Sequence, residues 1–124
     1  MTINIEKSGA TSTPEARHER DGLFVRYQDY YHKIKYADIL YVEASGCYCD
    51  IYLRNRATPL TVVKRLHDFE RLLPERLFIR IHRSYIISLP DVTKFVGNTV
   101  YFIDKEFPIG TNYRPQFLSR LTLL

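Results

Sequence analysis

The stretch Leu77-Phe78-Ile79-Arg80-Ile81-His82-Arg83-Ser84-Tyr85-Ile86-Ile87-Ser88-Leu89 reads as two apolar strands, Leu77 to Ile81 and Tyr85 to Leu89, separated by a charged break. Arg80 and His82 alternate with Ile79 and Ile81, so a strand sends them to the face opposite the core, while Arg83 and Ser84 fall at the turn. Similar short runs lie on both sides. Leu23 to Tyr27, the turn Gln28-Asp29 and Tyr30 to Tyr36 make a hairpin, and Ile39 to Glu43 with Tyr48 to Leu53 make a second pair around Ser45-Gly46. Within the latter, Tyr48, Asp50 and Tyr52 share one face and Cys49, Ile51 and Leu53 the other, so one face is expected to be wet. After Asn55-Arg56 and Thr58-Pro59 the period changes: Val62, Leu66, Phe69 and Leu73 keep helical spacing, and Pro74 ends that helix. Downstream, Val92 to Val96 and Thr99 to Ile103 flank the tight turn Gly97-Asn98. Phe107 to Gly110 is a last extended piece, and Tyr113 to Leu121 is a short terminal helix that tolerates Pro115 near its start. Hairpins around one helix lack the alternating strand-helix order of a parallel sheet. The fold class is therefore mainly β and mostly antiparallel, with one central helix and a short C-terminal helix.

A length of 124 residues with 45% hydrophobic and 26% charged side chains suits one domain able to bury its own core. Ser8 to Arg20 is polar and aperiodic, so residues 1–22 read as a tail or linker and residues 23–124 as the domain. Apolar runs stop at four or five residues, such as Ile39-Leu40-Tyr41-Val42, against the roughly 20 that a spanning helix needs. Glu6, Lys7, Glu15, Arg17 and Glu19 interrupt any secretory signal, which places the chain in the cytoplasm. Cys47 and Cys49 share a strand face, too close for a comfortable bridge, and read as reduced, small buried hydrophobes. Without C-x-x-C spacing or a neighbouring His they make no zinc site, and no metal or other cofactor is expected.

Charge is distributed unevenly. Residues 1–21 carry −1 and the remainder +5, with Arg71, Arg76, Arg80 and Arg83 opposed between Arg71 and Arg83 only by acidic Glu75 and by no other carboxylate. A basic cluster suits a polyanion such as nucleic acid; a solvated basic face is the alternative. In Arg80 to Ser84 a guanidinium can fork onto guanine or phosphate while His82 and Ser84 add donors, or the latter two simply satisfy backbone groups at a bend. Catalysis is poorly supported: Ser84 has no G-x-S-x-G elbow, the five glycines are isolated, and Glu43 lacks a partner carboxylate and reads as a structural hydrogen-bonding residue. Ten tyrosines offer another route, with Tyr27, Tyr30, Tyr48 or Tyr52 stacking single-stranded bases; covering the core edge is the preferred explanation. His67 and His32 read as surface residues.

Four blocks in register, Ile39-Leu40-Tyr41-Val42-Glu43 with Tyr48, the helix with Leu66 and Leu73, Phe78 to Ile87, and Phe107-Pro108-Ile109-Gly110 with Tyr113-Arg114, resemble the LytTR DNA-binding domain. This is the output domain of LytR/AlgR-type bacterial response regulators of two-component systems. The resemblance spans about Leu23 to Leu121, and the His-Arg-Ser block is its most specific part. It implies an elongated, mostly β fold whose loops enter successive major grooves, binding double-stranded DNA with direct repeats, commonly as two protomers on one side of the duplex. Carried over to this sequence, the base-contacting residues are Ser45, Gly46, Cys47, Arg83, Thr111 and Asn112, with Arg83 and Asn112 foremost because Arg suits guanine and Asn suits adenine. Lys64, Arg65, Arg80, His82, Ser84 and Arg114 are the phosphate contacts, and Glu43, Tyr48 and Tyr113 are fold residues. Two positions depart from the common pattern, Gly110 where Ser is frequent and Asn112 where Arg is frequent, so base preference does not transfer. Members usually carry an N-terminal phosphoacceptor domain, for which 124 residues leave no room; a stand-alone regulator and an output domain both fit. A β-rich RNA or single-strand binder and a protein-interaction module are the rival readings.

Overall fold

The computed structural model describes residues 21–124, so the tail expected over Ser8 to Arg20 lies outside the described residues. Strand β1 (Gly22–Tyr27) pairs antiparallel with β2 (Tyr30–Lys35) as a separate two-stranded ribbon. A 3₁₀ turn, Tyr36–Asp38, leads into β3 (Ile39–Ser45) and β4 (Tyr48–Leu53), followed by β5 (Leu60–Val62) and helix α1 (Leu66–Leu72). Next come β6 (Phe78–His82), β7 (Tyr85–Ser88), a 3₁₀ turn at Leu89–Asp91, β8 (Lys94–Val96), β9 (Thr99–Tyr101) and β10 (Glu106–Pro108). A 3₁₀ turn at Thr111–Tyr113 runs into helix α2 (Arg114–Ser119), whose first turn holds Pro115. Every pairing is antiparallel: a five-stranded sheet in the order β5-β4-β3-β7-β6 and a three-stranded sheet in the order β10-β9-β8.

The five-stranded sheet is clothed on both faces, which is why several of its strands read as apolar runs. Val42, Cys49, Ile51, Phe78 and Ile86 point into one core with Val25 and Ile34 of the β1–β2 ribbon and Leu66 and Phe69 of α1. Tyr41, Ile79, Ile81 and Ile87 point the other way, against Val100 of β9, Phe107 of β10 and Phe117 of α2. Of the two faces of β4, that of Cys49, Ile51 and Leu53 is buried and the other is only partly wet. Tyr52 stacks on Tyr41 with rings 4.3 Å apart and 11° from parallel and joins the second core, leaving Tyr48 exposed.

Several expectations need correction. Val62 does not begin a helix; it pairs with Cys49 in β4, because β4 offers its backbone a ladder partner while the side chain still meets the core that Leu66 and Phe69 fill. The helix starts at Leu66, where Asp68 Oδ2 accepts the Arg65 amide at 3.3 Å and caps it. Cys49 is fully buried, but Cys47 stands exposed in the Gly46-Cys47 turn because β3 and β4 end at Ser45 and Tyr48; both thiols are free. His32 is not a plain surface residue: register with Val25 places it on the inner face of the ribbon, 5.3 Å from the rings of both Tyr27 and Tyr30. Nor is Arg80 turned to a bare face, since α1 covers that side of β6.

Candidate nucleic-acid interface

Antiparallel pairing brings three connections to one end of the five-stranded sheet. Ser45 pairs with Tyr48, Cys49 with Val62, Glu43 with Tyr85 and His82 with Tyr85, so Gly46-Cys47, Val63 to Arg65 and Arg83-Ser84 all leave the same edge. The Ala44 amide donates to the Ser84 carbonyl at 2.9 Å and ties two of these turns together. Past β6, the Gly110 amide donates to the Ile81 carbonyl at 2.7 Å, adding Thr111 to Arg114 to the row. Close approach is built into Gly110, where a Cβ would stand 3.0 Å from the Tyr113 ring. The Gly97-Asn98 turn joins as well, through Ile109 N to Asn98 O at 2.7 Å and Arg114 Nε to Gly97 O at 3.2 Å. Ordinary strand spacing makes the row about 19 Å long from β5 to β6 alone.

The turn geometries differ. Gly46 sits at a φ of +63°, the left-handed backbone that a two-residue loop uses to match strand twist. Arg83-Ser84 also spans two paired residues, but the register slips between Arg80 and His82, and His82 Nδ1 accepts the Ser84 amide at 3.1 Å. That bond leaves the imidazole proton on Nε2. The His82 ring therefore satisfies the Ser84 amide at a bend, while the Arg83 side chain is exposed and its guanidinium unengaged among the described residues.

Ser45, Gly46, Cys47, Lys64, Arg65, Thr111 and Asn112 are likewise exposed on this row; His82, Ser84 and Arg114 are half-buried. Behind the turns, Glu43 Oε2 accepts the Tyr85 hydroxyl at 3.4 Å. Burial first, and the Glu43 charge second, push the Tyr85 and Tyr52 phenols up from their ordinary values, so these hydroxyls stay protonated at neutral pH. Arg80 lies deepest, its side chain 15% exposed. Its Nε donates to the His82 carbonyl at 3.2 Å, Nη2 to the Arg83 carbonyl at 2.8 Å and Nη1 to Glu70 Oε1 at 3.2 Å, with the Tyr113 ring 5.7 Å from the guanidinium carbon.

The structure thus gathers every sequence-derived candidate at or just behind one edge. Sequence reasoning missed Glu70, the Gly97-Asn98 turn and the platform role of Tyr113, because each enters through a partner on another element with no local pattern to announce it. Among the described residues no group of three or more His, Cys, Asp or Glu side chains could hold a metal ion, and no helix is long and apolar enough to cross a membrane.

The described residues form a β-rich domain that presents a basic row of loops, with its longest described helix packed on the sheet through Leu66 and Phe69. Residues 29–122 match the LytTr DNA-binding domain, and the chain belongs to that LytTR family. Its fold superimposes with a TM-score of 0.69 on the LytTr DNA-binding domain of a protein described as a methyl-accepting/DNA response regulator from Bacillus cereus, at 21% identity over 84% of this chain and 99% of that one. No curated protein matches the chain. DNA binding in transcription regulation is accordingly its function.

Proposed function

We propose that the domain reads double-stranded DNA by placing its loop row into successive major grooves at paired direct repeats, two protomers lying on one side of the duplex. The observation that carries this reading is the convergence of five loops at one end of the sheet with Arg83 exposed among them. A row of about 19 Å exceeds a major groove about 12 Å wide, so the outer loops meet the backbone or a neighbouring groove. Arg83 and Asn112 read bases, with Ser45, Gly46, Cys47 and Thr111 packing against base edges; Lys64, Arg65 and Arg114 hold phosphates. His82 and Ser84 support the turn and reach phosphate through Nε2 and the hydroxyl.

Stacking of single strands is less well supported. Tyr52 is stacked inside the protein and Tyr27 is engaged by Arg56, while exposed Tyr30 and Tyr48 sit on separate elements. The test is selection of duplexes from a random pool, followed by salt titration of the best duplex against a scrambled one. Two like-oriented repeats with steep salt slopes on both duplexes support the reading. Arg83→Ala is expected to cost about 1–3 kcal/mol on the selected duplex and relax one base position, whereas Lys64→Ala weakens all sequences alike. Equal losses on selected and scrambled duplexes for Arg83→Ala would remove its base-reading role.

A further inference from the structure

We infer that Arg80 is a positioning residue that sets the base-reading turn, and that its cation is not spent on phosphate. The inference rests on Arg83 and Asn112 being the base readers. Arg80 sits immediately before the register slip in β6, and the carbonyls of His82 and of Arg83 in the following turn both accept from it. Its planar fork takes one carbonyl on Nε and the other on Nη2, at 3.2 and 2.8 Å, so the two carbonyls on either side of the Arg83 amide are held by one rigid group. The third direction is closed by Glu70 of α1 at 3.2 Å, which neutralises the charge locally. The face of the guanidinium lies by Tyr113, the residue after Asn112. One side chain therefore joins the Arg83 turn, α1 and the Asn112 loop, and it is too covered and too engaged to displace a counterion.

A phosphate contact and a turn clamp predict different responses. Loss of a phosphate contact lowers affinity for every sequence and flattens the slope of log K against log salt by about one. Loss of the clamp frees the Arg83 peptide, so discrimination falls while the number of displaced ions stays the same. Lysine separates the two further, because an ammonium still binds phosphate but cannot bridge two carbonyls and a carboxylate in one plane.

The experiment uses the full chain and the duplex selected from a random pool, with a scrambled duplex beside it. Arg80→Lys, Glu70→Gln and Arg83→Ala are measured, each at a temperature where circular dichroism shows the variant folded. Arg80→Lys and Glu70→Gln are expected to weaken the selected duplex about tenfold or more, change the scrambled duplex less than about twofold, and leave the salt slope unchanged. Tyr113→Phe, which keeps the ring, is expected to retain wild-type discrimination. Wild-type discrimination in Arg80→Lys overturns the inference. Tighter binding to both duplexes in Glu70→Gln, as expected if that carboxylate merely competed with phosphate for Arg80, overturns it as well. Arg83→Ala separates the two levels: if it loses discrimination and Arg80→Lys does not, the clamp alone falls. If discrimination survives Arg83→Ala, the assignment of the reader falls and the clamp falls with it.

Discussion

Cys47 and Cys49 are two positions apart, yet one thiol is exposed in a turn and the other is fully buried in the core. Burial pushes the Cys49 thiol up, so it is both hidden and less ionised. A maleimide is expected to modify one thiol per folded chain and two in denaturant, counted by mass spectrometry; two in the native chain would contradict the placement of β4. Because Cys47 lies in the loop row, the single adduct is also expected to lower affinity for the selected duplex, and Cys47→Ser to abolish that sensitivity. At this scale the sequence exposed the candidates but not their division of labour. Arg83 was legible because it interrupts two apolar strands. Arg80, two strand positions before His82, carried the same signal, and what separates them is a carboxylate ten residues away on a helix and two carbonyls at the turn that accept from Arg80. Neither can be deduced from spacing.

The end of the sheet opposite the loop row is fastened by Arg54, which donates to Asp91 at 2.8 and 2.9 Å and to the Ala37 carbonyl at 2.9 and 3.1 Å. That guanidinium links the end of β4 to the 3₁₀ turns before β3 and after β7. The hydrogen bond from Arg54 is the main reason, with the Ser88 hydroxyl adding to it, that the Asp91 carboxyl is held below the usual carboxylate range. A depressed carboxylate stabilises the fold above its unfolded value of about 3.9, and that contribution is lost as pH falls through the lower folded value. Asp91→Asn is expected to lower stability by about 1 kcal/mol at pH 7, a figure discounted for the partly exposed Arg54. The gap to wild type in urea titrations narrows as pH drops below about 4; a gap that widens would give Asp91 the opposite sign. Gly46→Ala, at a φ of +63° with nothing within 4 Å of its added Cβ, is expected to cost about 1 kcal/mol from backbone strain alone. Hairpins were legible from a period of two and from turn residues. The start of α1 was not, since Val62 on a strand and Leu66 on a helix serve the same core and so preserve one spacing.

The five-stranded sheet is wrapped on both faces, and of its two ends one gathers the exposed basic loops and the other carries the Arg54 fastening. With Lys64, Arg65 and Arg114 as the phosphate contacts, the slope of log K against log salt for one domain is expected to be about −3. A slope near zero would remove the electrostatic account of affinity. Four sequence blocks in order were enough to reach the family, because they fall on β3 with β4, on α1, on β6 with β7, and on β10 with the turn into α2. That the second core exists was not legible, since Val100, Phe107 and Phe117 meet Tyr41 and Ile81 only across long separations. The central strand has a consequence in time. Val42 of β3 pairs with Ile86, 44 positions later, so half of the sheet cannot close until that distant partner is available. Such non-local pairing predicts refolding in milliseconds to seconds, measurable by stopped-flow fluorescence of the tyrosines. On a ribosome adding about 5–20 residues per second, the bare side of β3 waits roughly 2–9 s for β7 to be made, an interval in which a freshly formed β3–β4 hairpin offers an unpaired edge to any other strand nearby.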